Sequence, residues 1–145
     1  VKMLIGEYQH NLDAKGRIFV PAKFREDLGE GFLVTKGIGK CLFVFSKVEW
    51  NNFSEKLRQI PMTDTSSQSF IRMLFASACE CDPDKQGRIL LPQRLRDFAK
   101  AQKEMVFIGV GSRAEIWAKE VWDEYNESAY EDYEATLEKL AQLGI

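Results

Sequence analysis

The sequence predicts an α+β protein made of two copies of one short unit, followed by an acidic helix. Three observations predict it. The stretch "DAKGRIFVP", from Asp13 to Pro21, returns as "DKQGRILLP" from Asp84 to Pro92. Both stretches lead into the same succession of short apolar strands and helical segments. The charge balance then breaks after Trp122: Val1 to Trp122 carry 19 Lys/Arg against 15 Asp/Glu, whereas the last 23 residues carry one Lys and seven acids.

The repeat can be followed beyond the opening motif. Asp13, Gly16, Arg17, Ile18, Pro21 and Arg25 match Asp84, Gly87, Arg88, Ile89, Pro92 and Arg96. After one inserted residue, Gly37-Ile38-Gly39 meets Gly109-Val110-Gly111, Lys47 meets Lys119, and Trp50 meets Trp122. Chance rarely keeps glycines, a proline and a tryptophan in step over so long a stretch, so the chain reads as an internal duplication.

Each element has a local reason. Asp13 and Asp84 can accept from backbone N–H groups two residues on, and Gly16 and Gly87 can take positive φ, so each motif is expected to form the tight turn of a β-hairpin. Arg17–Val20 and Arg88–Leu91 then read as strands. Pro21 and Pro92 stop them and suit the first position of a helix. "AKFREDL" sets Phe24 and Leu28 on one helical face before Gly29, and Gln93–Ala99 repeats this. "FLVTKGIGKCLFVFS" and "EMVFIGVGSRAEIWA" each give two strands around a glycine turn, and "KVEWNNFSEKLRQI" reads as a helix. Between the copies, a helix capped by Thr63 or Asp64 carries Phe70 to Phe75. The tail reads as one amphipathic helix with Tyr130, Tyr133, Leu137, Leu140 and Ala141 near helical spacing; its apolar side packs either on its own body or on a neighbouring subunit. The expected division is 1–62 for the first repeat, 63–76 for the connecting helix, 77–124 for the second repeat and 125–145 for the acidic helix.

Composition narrows the classes. No apolar run is long enough for a membrane helix, and Glu7 interrupts the N-terminal apolar residues too early for a signal-peptide core, so a cytoplasmic protein is expected. Three cysteines without an export signal suggest reduced thiols. Cys79-x-Cys81 and the single His10 do not supply a zinc ligand set, and neither a metal nor a cofactor is expected. Glu80, Asp82 and Asp84 read as a solvated turn rather than a cation site. No nucleophile elbow, phosphate loop or zinc-protease motif is present, which argues against an enzyme. The glycine pairs lack the third glycine of a dinucleotide loop.

The doubled turn is the candidate functional site. Asp13 and Asp84, with Gly16 and Gly87, structure the turns; Lys15 with Arg17, and Lys85 with Arg88, are the candidate DNA-binding residues. Lys23, Arg25, Arg94 and Arg96 add basic groups on the following helices. Arginine suits bidentate contacts to phosphate and guanine, lysine neutralises phosphate, and a two-stranded ribbon fits the major groove. The competing reading of a single turn is structural: the Asp orders it, and the Arg pairs with an acid or packs its stem. An interaction ring or scaffold without DNA binding is the alternative at the level of function.

The segments "NLDAKGRIFVPAKFRE", "TKGIGKCLFVF", "ASACECDPDKQGRILLPQRLRDFA" and "KEMVFIGVGSRAEIWAKEVWDEY", in this order, resemble the MraZ family, bacterial transcriptional regulators whose gene usually heads the division and cell-wall cluster. The resemblance covers nearly the whole chain. It implies two AbrB-like swapped-hairpin β-barrel halves in one compact body with short helices and a C-terminal helix. It also implies a ring homo-oligomer that binds tandem direct repeats in double-stranded promoter DNA, as a repressor in the nucleoid, with no membrane and no small-molecule substrate. Carried over by position, Arg17 and Arg88 are the motif arginines and Asp13 and Asp84 their partners. Lys15 occupies the basic turn position of the first copy; the same register holds Gln86 in the second, with Lys85 displaced by one. The two turns are therefore expected to contribute unequally.

Overall fold

The computed structural model describes residues 3–145. Within them the first copy supplies β1 (Glu7–Asn11), β2 (Arg17–Phe19), α1 (Ala22–Leu28), β3 (Phe32–Lys36), β4 (Leu42–Phe45) and α2 (Lys47–Arg58). A linking helix α3 (Thr65–Ser77) follows. The second copy repeats the order with β5 (Cys79–Cys81), β6 (Arg88–Leu90), α4 (Gln93–Phe98), β7 (Glu104–Gly109), β8 (Ala114–Ala118) and α5 (Lys119–Glu131), and α6 (Tyr133–Gln142) ends the chain.

The strands do not stay within their copies. One six-stranded antiparallel sheet runs β1-β7-β8-β4-β3-β5, and β2 and β6 form a separate two-stranded ribbon. The first copy's β1 thus lies along the second copy's β7, with Glu7 opposite Ile108 and Asn11 opposite Glu104. The second copy's β5 lies along the first copy's β3, with Phe32 opposite Cys81. Each copy completes the sheet of the other, and a pseudo-dyad passes between β4 and β8 and through the β2–β6 ribbon. The halves are duplicated and strand-swapped. The hairpin expected at each motif turn does not form: the flanking strands, β1 and β2, or β5 and β6, pair with strands of the other copy instead of with each other, because that pairing buries Ile18 and Ile89 between ribbon and sheet. A backbone bond from Asp13 N–H to Arg17 O, 2.9 Å, closes the turn, after which the two strands part into different sheets.

Two apolar layers hold this arrangement. On one face of the sheet, Val34, Leu42, Val44, Phe107 and Ile116 pack against Ile18 and Ile89 of the ribbon and against Phe24 and Leu95 of α1 and α4. On the other, Phe43, Phe45 and Trp117 pack against Leu57 of α2 and Leu74 of α3. The strict alternation of β4, with Leu42 and Val44 to one layer and Phe43 and Phe45 to the other, is why a short strand can be buried on both faces. Fully burying side chains of this size is worth about 1.5–3 kcal/mol each.

The helix ends refine several expectations. Pro21 and Pro92 are the residues before the first helical turn rather than within it. Asp64 is the cap of α3, its Oδ1 accepting from Ser67 N–H at 3.2 Å. The tail, expected as one helix over 125–145, is two. Helix α5 begins six residues earlier, at Lys119, and stops at Glu131; Asp132, at φ −98° and ψ 11°, leaves helical geometry and its carbonyl accepts from Thr136 N–H to start α6. Aspartate competes with the helical ladder and favours such starts. No helix among the described residues is long and apolar enough to cross a membrane.

Candidate nucleic-acid interface

The two motif turns have the same internal bonding. In the first, Asp13 Oδ1 accepts from Lys15 N–H at 2.9 Å and Arg17 N–H at 2.8 Å, while Oδ2 accepts from Arg17 Nε at 2.7 Å. In the second, Asp84 Oδ1 accepts from Gln86 N–H and Arg88 N–H, both at 2.9 Å, and Oδ2 accepts from Arg88 Nε at 2.9 Å. One carboxylate therefore folds the backbone and orients the guanidinium together. Both carboxyls are held below the usual carboxylate range, chiefly by the arginine backbone N–H bonded to each. Gly16 and Gly87 close the turns at φ +84° and +86°, where a side chain would be strained.

The arginine bonding leaves recognition chemistry available. Only Nε of Arg17 and Arg88 is engaged by its Asp; the described residues give the terminal nitrogens no hydrogen bond. Those nitrogens are the ones that form a bidentate fork on guanine or phosphate.

The ribbon joins the two turns into one surface. Arg17 stands opposite Leu90, Ile18 opposite Ile89, and Phe19 opposite Arg88. Cross-strand partners share a face, so Ile18 and Ile89 point into the core and Arg17, Phe19, Arg88 and Leu90 point outward. Backbone bonds continue the clamp from turn to turn: Val20 N–H donates to Gly87 O and Leu91 N–H to Gly16 O, each at 2.9 Å. Lys15, Lys85 and Gln86 are exposed beside this face.

Not every basic residue of the motif belongs to the outward face. Arg25 of α1 lies against Gly87 of the other copy, and Arg96 of α4 lies against Gly16. Arg96 Nε also donates to Leu91 O at 2.9 Å. These two half-buried arginines brace the opposite turn from behind. Lys23 and Arg94 are exposed on their helices, and Arg94 reaches Ser77 O at 3.4 Å. Phe19 and Leu90 were overlooked by the motif reading; the alternation Arg-apolar-apolar after a glycine turn, with Ile18 inward, was the signal that would have found them. Beneath the ribbon, His10 lies 6.3 Å from both Phe19 and Phe107, ring to ring, and burial followed by the nearby Arg25 lowers its pKa.

The pseudo-dyad does not preserve charge elsewhere. Near the end of α4, Lys40 and Lys100 meet, and the hydrogen bond and charge of Lys100 lower the Lys40 pKa; Lys36 lies 5.2 Å over the Phe98 ring. The matching place in the first copy, where Gly29 and Ser112 stand for Lys100 and Lys40, is an open groove. Its walls carry three acids, Asp27, Glu30 and Glu49, and one cation, Lys47, which is paired with Glu80; Leu4 and Leu28 also line it.

Two strand-swapped copies of a β-β-α-β-β unit, joined by a central ribbon with an Asp-clamped arginine at each end, define the class of this molecule. The family model described as "MraZ protein, putative antitoxin-like" matches twice, over residues 3–73 and 74–143. Two similar proteins are the "Transcriptional regulator MraZ" of Carboxydothermus hydrogenoformans, 52% identical with 97% of this chain and 99% of the relative covered, and that of Caldanaerobacter subterraneus subsp. tengcongensis, 51% identical with 99% and 100% covered. A third, of the same name, from Acetivibrio thermocellus is 50% identical over 99% of this chain. The chain belongs to the MraZ family.

Proposed function

We propose that this protein is a DNA-binding transcriptional regulator that reads promoter DNA through the β2–β6 ribbon, with Arg17 and Arg88 as base or phosphate readers and Lys15 and Lys85 as phosphate contacts. The observation that carries the reading is the outward ribbon with two arginines held by their Nε, terminal nitrogens unspent, at a pseudo-dyad. The relatives' shared name agrees with it. In its full form the reading is a cytoplasmic, nucleoid-associated repressor of its own division and cell-wall gene cluster, bound to tandem direct repeats as a ring.

Two physical arguments support the ring. A single ribbon offers few basic contacts, and several linked subunits on tandem sites raise avidity without new contacts. The lysine patch around Lys40 and Lys100 and the acidic groove around Asp27, Glu30 and Glu49 lie at pseudo-equivalent positions with opposite charge, which suits head-to-tail contact between copies; such interfaces close into rings or run on as filaments. Reversing Asp27 and Glu30 to Lys should shrink the oligomer in light scattering, as should reversing Lys40 and Lys100 to Glu, and mixing the two variants should restore association. Indifference to both reversals would place the subunit contact elsewhere.

The DNA reading is tested by anisotropy titration of duplex from upstream of the protein's own gene beside a scrambled duplex, at two salt concentrations. Arg17→Ala and Arg88→Ala should each weaken specific binding by roughly 10- to 100-fold, the effect of losing a bidentate base contact, while leaving the melting curve near wild type. Equal binding of both duplexes, or none, would leave a protein that associates with something other than DNA.

A further inference from the structure

The outward face of the ribbon is half apolar. Phe19 is 43% exposed and Leu90 59% exposed. Isolated exposed apolar residues are ordinary, but these two stand in the same two rungs as the motif arginines: Leu90 opposite Arg17, Phe19 opposite Arg88. Each rung therefore presents one guanidinium and one apolar group side by side. Arg88 lies 6.0 Å over the Phe19 ring, and His10 backs that ring from below, so Phe19 is held in place without being covered.

We propose that Phe19 and Leu90 are specificity-determining residues that read thymine methyl groups in the major groove, beside the base pairs taken by the arginines. The proposal rests on the DNA-binding reading above. Cross-strand partners have Cβ atoms about 4.5–5.5 Å apart, between one and two base-pair rises of about 3.4 Å, so the two members of a rung can address neighbouring base pairs. The apolar feature unique to a major groove is the thymine C5-methyl, and arginine's best base partner there is guanine O6 and N7. Four cations around the ribbon, Lys15, Arg17, Lys85 and Arg88, make polyanionic DNA the occupant that the charge of this face favours. The two rungs differ: Phe19 is a flat ring already carrying Arg88, and Leu90 is a smaller group beside an arginine with no aromatic under it. The bound site is accordingly read with polarity although the ribbon is pseudo-symmetric, as direct repeats require.

The test replaces thymine by deoxyuridine, which removes the methyl and leaves every base-pairing group. In the shortest upstream duplex that binds, each thymine is replaced in turn and affinity is measured by anisotropy. Wild type should lose about threefold to fivefold at one or two positions, the worth of one buried methyl. Phe19→Ala and Leu90→Ala should bind the thymine duplex more weakly, and each should become indifferent to deoxyuridine at a different position. If wild type binds thymine and deoxyuridine duplexes equally, the methyl reading is overturned while the DNA reading stands; that result needs no variant to fold. If both alanine variants keep the full deoxyuridine penalty at every sensitive position, the methyls are read by other residues and the proposal also fails. If wild type binds neither duplex, both readings fall together.

Discussion

The two turns and the two halves of the ribbon between them obey different rules. Asp13 and Asp84 make the same set of bonds to within 0.2 Å, and Gly16 and Gly87 share the same left-handed φ. At the tips and along the ribbon the copies diverge: Lys15 against Gln86, Phe19 against Leu90. Arg88 is also the more covered of the two arginines, its side chain 20% exposed against 34% for Arg17. What folds the turn is constrained by backbone geometry and is the same in both copies. What points outward is free of that constraint and has separated. An asymmetric surface can thus be made on a symmetric frame by changing outward side chains alone.

The frame itself gives the largest expected effect. Because β1 completes the second copy's strands and β5 the first's, a chain cut between residues 62 and 63, ahead of α3, should give no folded monomer from either half, seen as the absence of a compact monomeric species in size-exclusion chromatography with circular dichroism. Mixing the halves should restore the fold. A half that folded alone as a monomer would show that the copies can close on themselves.

Next come the turn glycines. Gly16→Ala and Gly87→Ala should each cost about 1–2 kcal/mol, the strain of a left-handed residue with a side chain, and each must also displace the arginine braced behind it, Arg96 or Arg25. Similar drops in thermal midpoint for both would confirm that the turns are equivalent as structure; a large difference would break the comparison.

The aspartates should matter less, and in a pH-dependent way. Their pKa values are lowered in the folded protein, so the stability they contribute is fully present above the ordinary carboxylate pKa of about 4 and is lost as the pH falls through the lower folded values. Asp13→Asn and Asp84→Asn should therefore lower the melting temperature at pH 7 and converge with wild type in acid. A constant gap across that range would mean that the charge is not what the turn uses.

The tip residues sharpen the asymmetry. If Lys15 contacts a phosphate and Gln86 does not, Lys15→Gln should reduce the slope of log affinity against log salt by about 0.9 per lost contact, and Gln86→Lys should raise it by a similar amount. The smallest expected effect is chemical. Hydrogen bonding from Cys81 lowers the Cys79 thiol to about 7, whereas burial pushes Cys41 up to about 12. Mild alkylation near neutral pH should label Cys79 first, with no counterpart in the first copy, where Tyr8 stands at that position.

Much of this was legible in the sequence because it is local. The Asp-to-Arg clamp spans four residues and Gly16 and Gly87 announce their own φ, so the turns follow from spacing. The period-two strands and the Phe24–Leu28 helix face follow from alternation, and the duplication from plain comparison. Where Arg25 and Arg96 would point was not legible, because the partner of each is a glycine some 60 to 80 residues away in the other copy. The break at Asp132 escaped notice because helical spacing in the tail continues across it.

By itself, then, the sequence determined the repeated unit, the conformation of its turns and which residues carry charge, all of which depend on neighbours a few positions apart. Tertiary structure alone decided that β2 pairs with β6 instead of with β1, that Phe19 and Arg88 share a rung, and that a lysine patch answers an acidic groove across the pseudo-dyad. The physical reason is that strand pairing is nonlocal. A short strand with one apolar face can complete any sheet whose register buries that face, and only the assembled core selects which.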